Sequence, residues 1–173
     1  MRYFISINIP KEVAKEIEGI QGELPDFYGK KTRLEDLHLT LKFLGEISED
    51  KVKEVKNKLK EINLKDFEIE IKYLGFFDNK KDGVLWLHLS SCEELQKQID
   101  NKLKYLFEPE KRFMSHLTIA RVKSIKGKRN FLEDLEKIKI PKIRFKAETF
   151  YLMKSELTHE GPRYKIIEEY KLN

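Results

Sequence analysis

His38-Leu39-Thr40-Leu41-Lys42-Phe43-Leu44 and His116-Leu117-Thr118-Ile119-Ala120-Arg121 decide how this chain is read. Both stretches are apolar and β-prone, and both open on the phrase His-Leu-Thr. In a strand, side chains two residues apart share a face. Each phrase therefore sets an imidazole beside a hydroxyl. Leu39 and Leu41, or Leu117 and Ile119, are left to anchor the other face in a core. A fold that brings the phrases face to face makes a site with two proton-transfer groups and two hydroxyl donors. Such a site suits a phosphate, where one group activates a nucleophile and another protonates a leaving oxygen.

Outward from these phrases, the chain reads as one unit used twice. Ile5, Ile7 and Ile9 alternate in a first strand, and Pro10 opens a helix with Val13, Ala14, Ile17 and Ile20 inward. Pro25 and Gly29 mark a loop before the first His-x-Thr strand. Ser48 is placed to cap a helix whose stripe is Val52, Val55, Leu59 and Ile62. A strand from about 67 to 77 closes the unit. The second unit opens with Leu85, Leu87 and Leu89, each 80 residues after Ile5, Ile7 and Ile9 (85−5). Ser91 and Glu94 suggest a capping box for a helix with Cys92, Leu95, Ile99, Leu103 and Leu106 inward. After the second phrase, Asn130 is expected to cap a helix carrying Phe131, Leu132, Leu135 and Ile138. One long strand is expected from about 143 to 153, and a last one from about 163 to 170. The fold class expected is α+β: two lobes related by a pseudo-twofold axis, with largely antiparallel sheets around a central cleft. Residues 1–173 are read as a single domain, with the repeat over about 1–78 and 83–157.

Composition narrows the function. Hydrophobic residues make up 40% of the 173 and charged ones 38%, enough for one core under a well-solvated surface. The net charge of +5 favours an anionic partner. A lone Cys92 excludes an intrachain disulfide framework and fits a reducing compartment. No apolar run is long enough to cross a membrane as a helix, and the N-terminus lacks a cleavage pattern. The expectation is a cytoplasmic monomer. No metal and no cofactor are expected: positions i and i+2 offer one His and one Thr, without an accompanying Cys or acidic cluster. A serine triad is excluded by the absence of a Gly-x-Ser-x-Gly elbow.

The residues from Leu37 to Gly45, from Arg112 to Arg121, and Gly161-Pro162-Arg163-Tyr164 resemble the motifs of the 2H phosphoesterases. The likeness is to their RNA 2′,3′-cyclic phosphodiesterase branch, also called 2′-5′ RNA ligase or LigT-like, and it covers nearly the whole length. Ser115 departs from the Pro common before the second His. The resemblance implies a metal-independent, bilobal enzyme acting on RNA that ends in a 2′,3′-cyclic phosphate, and leaving a 2′-phosphate. It implies His116 as proton acceptor, His38 as proton donor, and Thr40 and Thr118 as donors to the non-bridging oxygens. The residues alone leave the two histidine roles open, because a pseudo-twofold site is nearly symmetric.

Three further substrate-binding candidates follow. Arg121 would pair with phosphate or stack on a base, provided a bulge or the strand's end turns it toward the cleft. Lys42 shares the parity of His38 and Thr40 and would add positive potential at the rim. Trp86, on the face opposite Leu85 and Leu87, would stack on a nucleobase. Arg121 to Arg129 reads as a basic loop beside the second motif, and His159 as an exposed loop residue. Two rival functions use the same fold: 2′-5′ ligation of RNA ends in reverse at the same site, and a non-catalytic nucleotide- or RNA-binding module.

Overall fold

The computed structural model describes residues 1–79 and 81–173. The chain runs β1 (Arg2–Asn8), α1 (Lys11–Gly22), β2 (Tyr28–Lys31), a 3₁₀ turn (Leu34–Asp36), β3 (His38–Gly45), α2 (Glu49–Leu59) and β4 (Phe67–Asp78). It continues with β5 (Gly83–Leu89), α3 (Glu93–Leu103), β6 (His116–Ser124), α4 (Lys128–Lys137), β7 (Arg144–Ala147), β8 (Thr149–Thr158) and β9 (Gly161–Lys171). The class is α+β, as the alternating patterns imply.

Strand order is β7-β4-β5-β6-β3-β1-β8-β9, with β2 paired to β6, and the recorded pairings are antiparallel. The order is symmetric about the β6–β3 junction. On one side β6, β5 and β4 follow one another; on the other, β3, β1 and β8. At the junction the register is set by Leu39 opposite Leu117. The last strand of each sequence half lies in the opposite lobe: β4 pairs with β5, and β8 with β1. The helices cross too, α1 packing against β6 and α3 against β3. Two side chains pin these crossings. Gln21 Nε2 of α1 donates to the Ile119 and Thr32 carbonyls, both at 2.9 Å. Lys42 Nζ of β3 donates to Asp100 of α3 at 2.6 Å and to the Glu108 carbonyl at 2.8 Å.

The core is continuous across the junction, with Ile5, Leu39, Leu85, Leu87, Leu117 and Ile119 fully buried. Most of the expected helix stripes are inward: Val13, Ala14, Ile17 and Ile20 in α1, Val52, Val55 and Leu59 in α2, Leu95, Ile99 and Leu103 in α3, whereas Ile62 and Leu106 fall beyond the helix ends and are half-buried. Each of these Val, Leu and Ile side chains contributes about 1.5–3 kcal/mol on burial. Ser48 caps α2, accepting from the Lys51 amide at 3.3 Å.

Five local expectations are corrected. Ser91 does not cap α3: its φ of 66° is left-handed, Cys92 takes the cap position, and no side-chain bond forms there. A capping residue is extended, so this backbone cannot close the box. Asn130 does not cap α4, which begins at Lys128 after Gly127; Phe131 and Leu135 face inward, while Leu132 is exposed. The basic stretch from Arg121 is therefore split between β6 and α4 rather than forming a loop. The strand expected over 143–153 is broken at Glu148, because β7 pairs with β4 in one lobe and β8 with β1 in the other. Gly29, expected in a loop, sits in β2, where a Cβ would collide with the Arg121 carbonyl.

Candidate active site

The antiparallel register at Leu39–Leu117 places position 38 beside 118 and position 40 beside 116. Leu39 and Leu117 are fully buried, so His38, Thr40, His116 and Thr118 share the opposite face, each half-buried. Each imidazole thus lies across from the other motif's hydroxyl, and all four expected side chains come together.

Both imidazoles are held the same way. His38 Nδ1 lies 2.7 Å from the Asp36 carbonyl, and His116 Nδ1 lies 2.9 Å from the Met114 carbonyl. A carbonyl only accepts, so Nδ1 carries a proton in both rings. That leaves Nε2 as the working nitrogen: a base when the ring is neutral, an acid when it is cationic. Rings fix the orientation. Phe4 and Tyr164 flank His38 with centroids at 5.0 Å each, and Phe77 and Trp86 meet His116 edge-on at 5.6 and 6.2 Å. Burial lowers the His38 pKa below the ordinary 6.5; the Asp36 carbonyl and carboxylate oppose this, and the Arg121 charge adds to it. The free protein therefore favours neutral His38 at neutral pH. Burial also pushes the Tyr164 hydroxyl up.

A matched pair of β-bulges decides what else faces the site. In β3, Ile5 pairs with Lys42 and Ser6 with Thr40, so Leu41 is extra; in β6, Leu85 pairs with Ala120 and Trp86 with Thr118, so Ile119 is extra. An unpaired residue inverts the side-chain parity beyond it. The burial patterns of β3 and β6 are consequently the same over their first seven residues. Arg121 is turned outward on the histidine face, near enough to His38 and Tyr164 to act on both electrostatically. Its counterpart Phe43 is likewise outward and 70% exposed, with its ring 6.3 Å from Phe4.

The same bulge turns Lys42 away from the cleft, against the expected contact. Its side chain is 1% exposed and bonded to Asp100 on the core side of β3, so it adds no potential at the rim. Trp86 does lie on the histidine face, opposite Thr118, but it is only 6% exposed. Phe77 stacks on it at 4.8 Å, Tyr73 meets it edge-on, and a Cβ at Gly75 would collide with its ring. Trp86 supports His116 and has no open face for a base. Phe43, Phe77 and Tyr164 also border the histidine face, which the local sequence pattern does not point to. Tyr164 lies within the Gly161–Tyr164 signature; the other two carry no local signal. His88 donates through Nδ1 to the Ser115 carbonyl and stacks on Tyr73, and His159 is exposed in the β8–β9 turn. Among the described residues, no three His, Cys, Asp or Glu side chains cluster as a metal site.

The family described as LigT like phosphoesterase matches residues 7–86 and 90–164. An RNA 2′,3′-cyclic phosphodiesterase of Methanocaldococcus jannaschii is 37% identical over 175 residues, covering 98% of this chain and 100% of that protein. One of Thermotoga maritima is 34% identical, covering 98% and 94%. A crystal structure from Thermus thermophilus superposes with a TM-score of 0.82 at 25% identity, covering 99% and 98% of the chains. E. coli LigT complexed with 3′-AMP superposes at 0.80 and 22% identity, covering 99% and 97%, a likeness of fold. With its two His-x-Thr strands meeting at one junction and both sequence halves matched, this chain belongs to the LigT-like 2H phosphoesterase family.

Proposed function

We propose that this protein hydrolyses the 2′,3′-cyclic phosphate end of RNA to a 2′-phosphate, without a metal. The observation that carries the reading is the facing pair of motifs, each with Nδ1 tied to the carbonyl two residues back and Nε2 left to work. The names of the two relatives above support the substrate class.

Neutral His116 takes a proton from water through Nε2 as the water oxygen bonds to phosphorus. The P–O3′ bond breaks, and protonated His38 gives its Nε2 proton to O3′. The products are a 2′-phosphate and a 3′-hydroxyl, with the proton returned from His116 to His38 through solvent. Thr40 and Thr118 donate to the non-bridging oxygens as their charge grows. Because burial disfavours the His38 cation, the substrate's phosphate charge stabilises the imidazolium once solvent has protonated it. Arg121 adds charge for the phosphate. Arg121 acts on His38 and presents a flat guanidinium to the terminal base. The whole chain acts as one domain and as a monomer. A buried Cys92, pushed up to about 12, is inert and suits the cytoplasm.

An end-group assay tests this. RNA with a 2′,3′-cyclic phosphate should yield a 2′-phosphate, and a 5′-hydroxyl partner strand should not divert it into 2′-5′ ligated product. A 3′-phosphate product, or nucleotide binding without turnover, would overturn the assignment.

A further inference from the structure

A cavity beside the site is unused by this chemistry. It has a volume of about 450 Å³, within the range of about 300–1,000 Å³ of small-molecule sites, and His38 and Tyr164 form part of its wall. It opens at the end of β1, between the start of α1 and the 3₁₀ turn. Its apolar floor is Ile9, Ala14, Leu34 and Met153. Lys11 and Lys15, exposed and one helical turn apart, stand on its rim. Its two carboxylates, Glu35 and Asp36, lie 3.7 and 2.7 Å from Arg33, so Lys11, Lys15 and Arg33 together leave the rim with one net positive charge.

The position of this cavity follows the direction of the reaction. In-line attack puts the incoming water and the departing O3′ on opposite sides of phosphorus. O3′ belongs to the terminal ribose, through which the rest of the RNA is attached. The RNA body therefore extends on the side of the histidine that protonates O3′. That histidine is His38, and His38 lines the cavity. On the proposed reading Arg121, which acts on His38 from outside the cavity, takes the terminal base, so the cavity serves the next nucleotide.

We propose that this cavity is the subsite for the penultimate nucleotide of the RNA, with its base on the apolar floor and the connecting phosphodiester at Lys11 and Lys15. The proposal rests on the hydrolase reading above. A nucleobase has two flat apolar faces and needs few polar contacts, and a phosphodiester recruits lysines without reading sequence. The subsite is thus expected to favour longer ends over mononucleotides with little base preference.

The test compares kcat/KM for uridine 2′,3′-cyclic phosphate with that for the dinucleotide UpU ending in the same cyclic phosphate. The dinucleotide should be preferred by about tenfold or more, the scale of one stacked base or charge-assisted contact. In the double variant Lys11→Glu/Lys15→Glu the ratio should fall toward one; both side chains are exposed, so the fold is retained. Leu34→Trp, which fills the floor, should lower the ratio in the same way. A wild-type ratio near one, or variants that lower both substrates by the same factor, would overturn the subsite. So would a loss confined to ligation of a 5′-hydroxyl acceptor, which would assign the cavity to an incoming strand. Turnover of neither substrate by the wild type would remove the hydrolase reading itself, and the subsite with it.

Discussion

Leu39 and Leu117 lie directly opposite each other at the junction of β3 and β6, both without solvent exposure. This one pairing sets the register of the two motifs. It seats the leucines in the core and so turns both imidazoles and both threonines to the other face. Function and stability therefore share a single contact.

Leu39→Ala should show that coupling. Removing a fully buried leucine side chain costs about 2–5 kcal/mol, depending on how far the site collapses. Urea denaturation should report that loss, and turnover should fall as the junction loosens. A loss below about 0.5 kcal/mol would mean that the pair is not a supporting contact.

His38→Ala and His116→Ala should each lower kcat by about 10²- to 10⁴-fold with the fold intact by circular dichroism. Thr40→Val and Thr118→Val keep the strand and the core but remove a donor, for a loss of about 10- to 10³-fold. Near-normal turnover in either histidine variant would place the chemistry elsewhere.

The pH dependence follows from the lowered His38 pKa. As the acid, His38 must be protonated, and in the free protein it loses its proton below the ordinary 6.5. The descending limb of kcat/KM, which reports the free enzyme, should therefore begin below pH 6.5. The limb of kcat should lie higher, because bound phosphate favours the cation. Arg121→Gln removes a charge that lowers the His38 pKa and should move the kcat/KM limb upward while reducing the rate. Since the two rings share one phosphate, both limbs belong to the pair. Excess EDTA should leave the profile unchanged; activity lost in EDTA and restored by Mg²⁺, Mn²⁺ or Zn²⁺ would refute the two-histidine mechanism. The same shift predicts a stability effect. The unfolded chain binds this proton more tightly than the folded one, so His38 draws stability down as pH falls from about 6.5 through its folded value.

Lys42→Met separates structure from binding. Asp100 is held low despite burial, which acts to raise its pKa, because Lys42, Gln96 and the Glu110 amide all donate to it. Removing the lysine leaves a partly buried carboxylate short of one partner, at a cost of about 1–3 kcal/mol. The melting temperature should drop while kcat/KM changes less than about threefold. The double variant Lys42→Met/Asp100→Asn, which removes the uncompensated charge but keeps an acceptor for Gln96 and the Glu110 amide, should recover part of the loss. A large fall in kcat/KM with unchanged stability would return Lys42 to the site.

The amino-acid sequence by itself determined the α+β class, the inward stripes of α1, α2 and α3, and the four residues His38, Thr40, His116 and Thr118. These follow from periodicity within a few residues and from a phrase that occurs twice, both local properties of the chain. The tertiary structure alone decided which side chains join them. The bulges at Leu41 and Ile119 arise from how β1 and β5 pair alongside, so alternation within β3 or β6 contains no trace of them. They turn Lys42 into the core and Arg121 and Phe43 out to the cleft, where unbroken alternation would have placed each on the other side. The break at Glu148 and the seating of Trp86 under Phe77 likewise depend on partners distant in sequence. A strand's own residues set its two faces, but only its neighbours set the point at which those faces exchange.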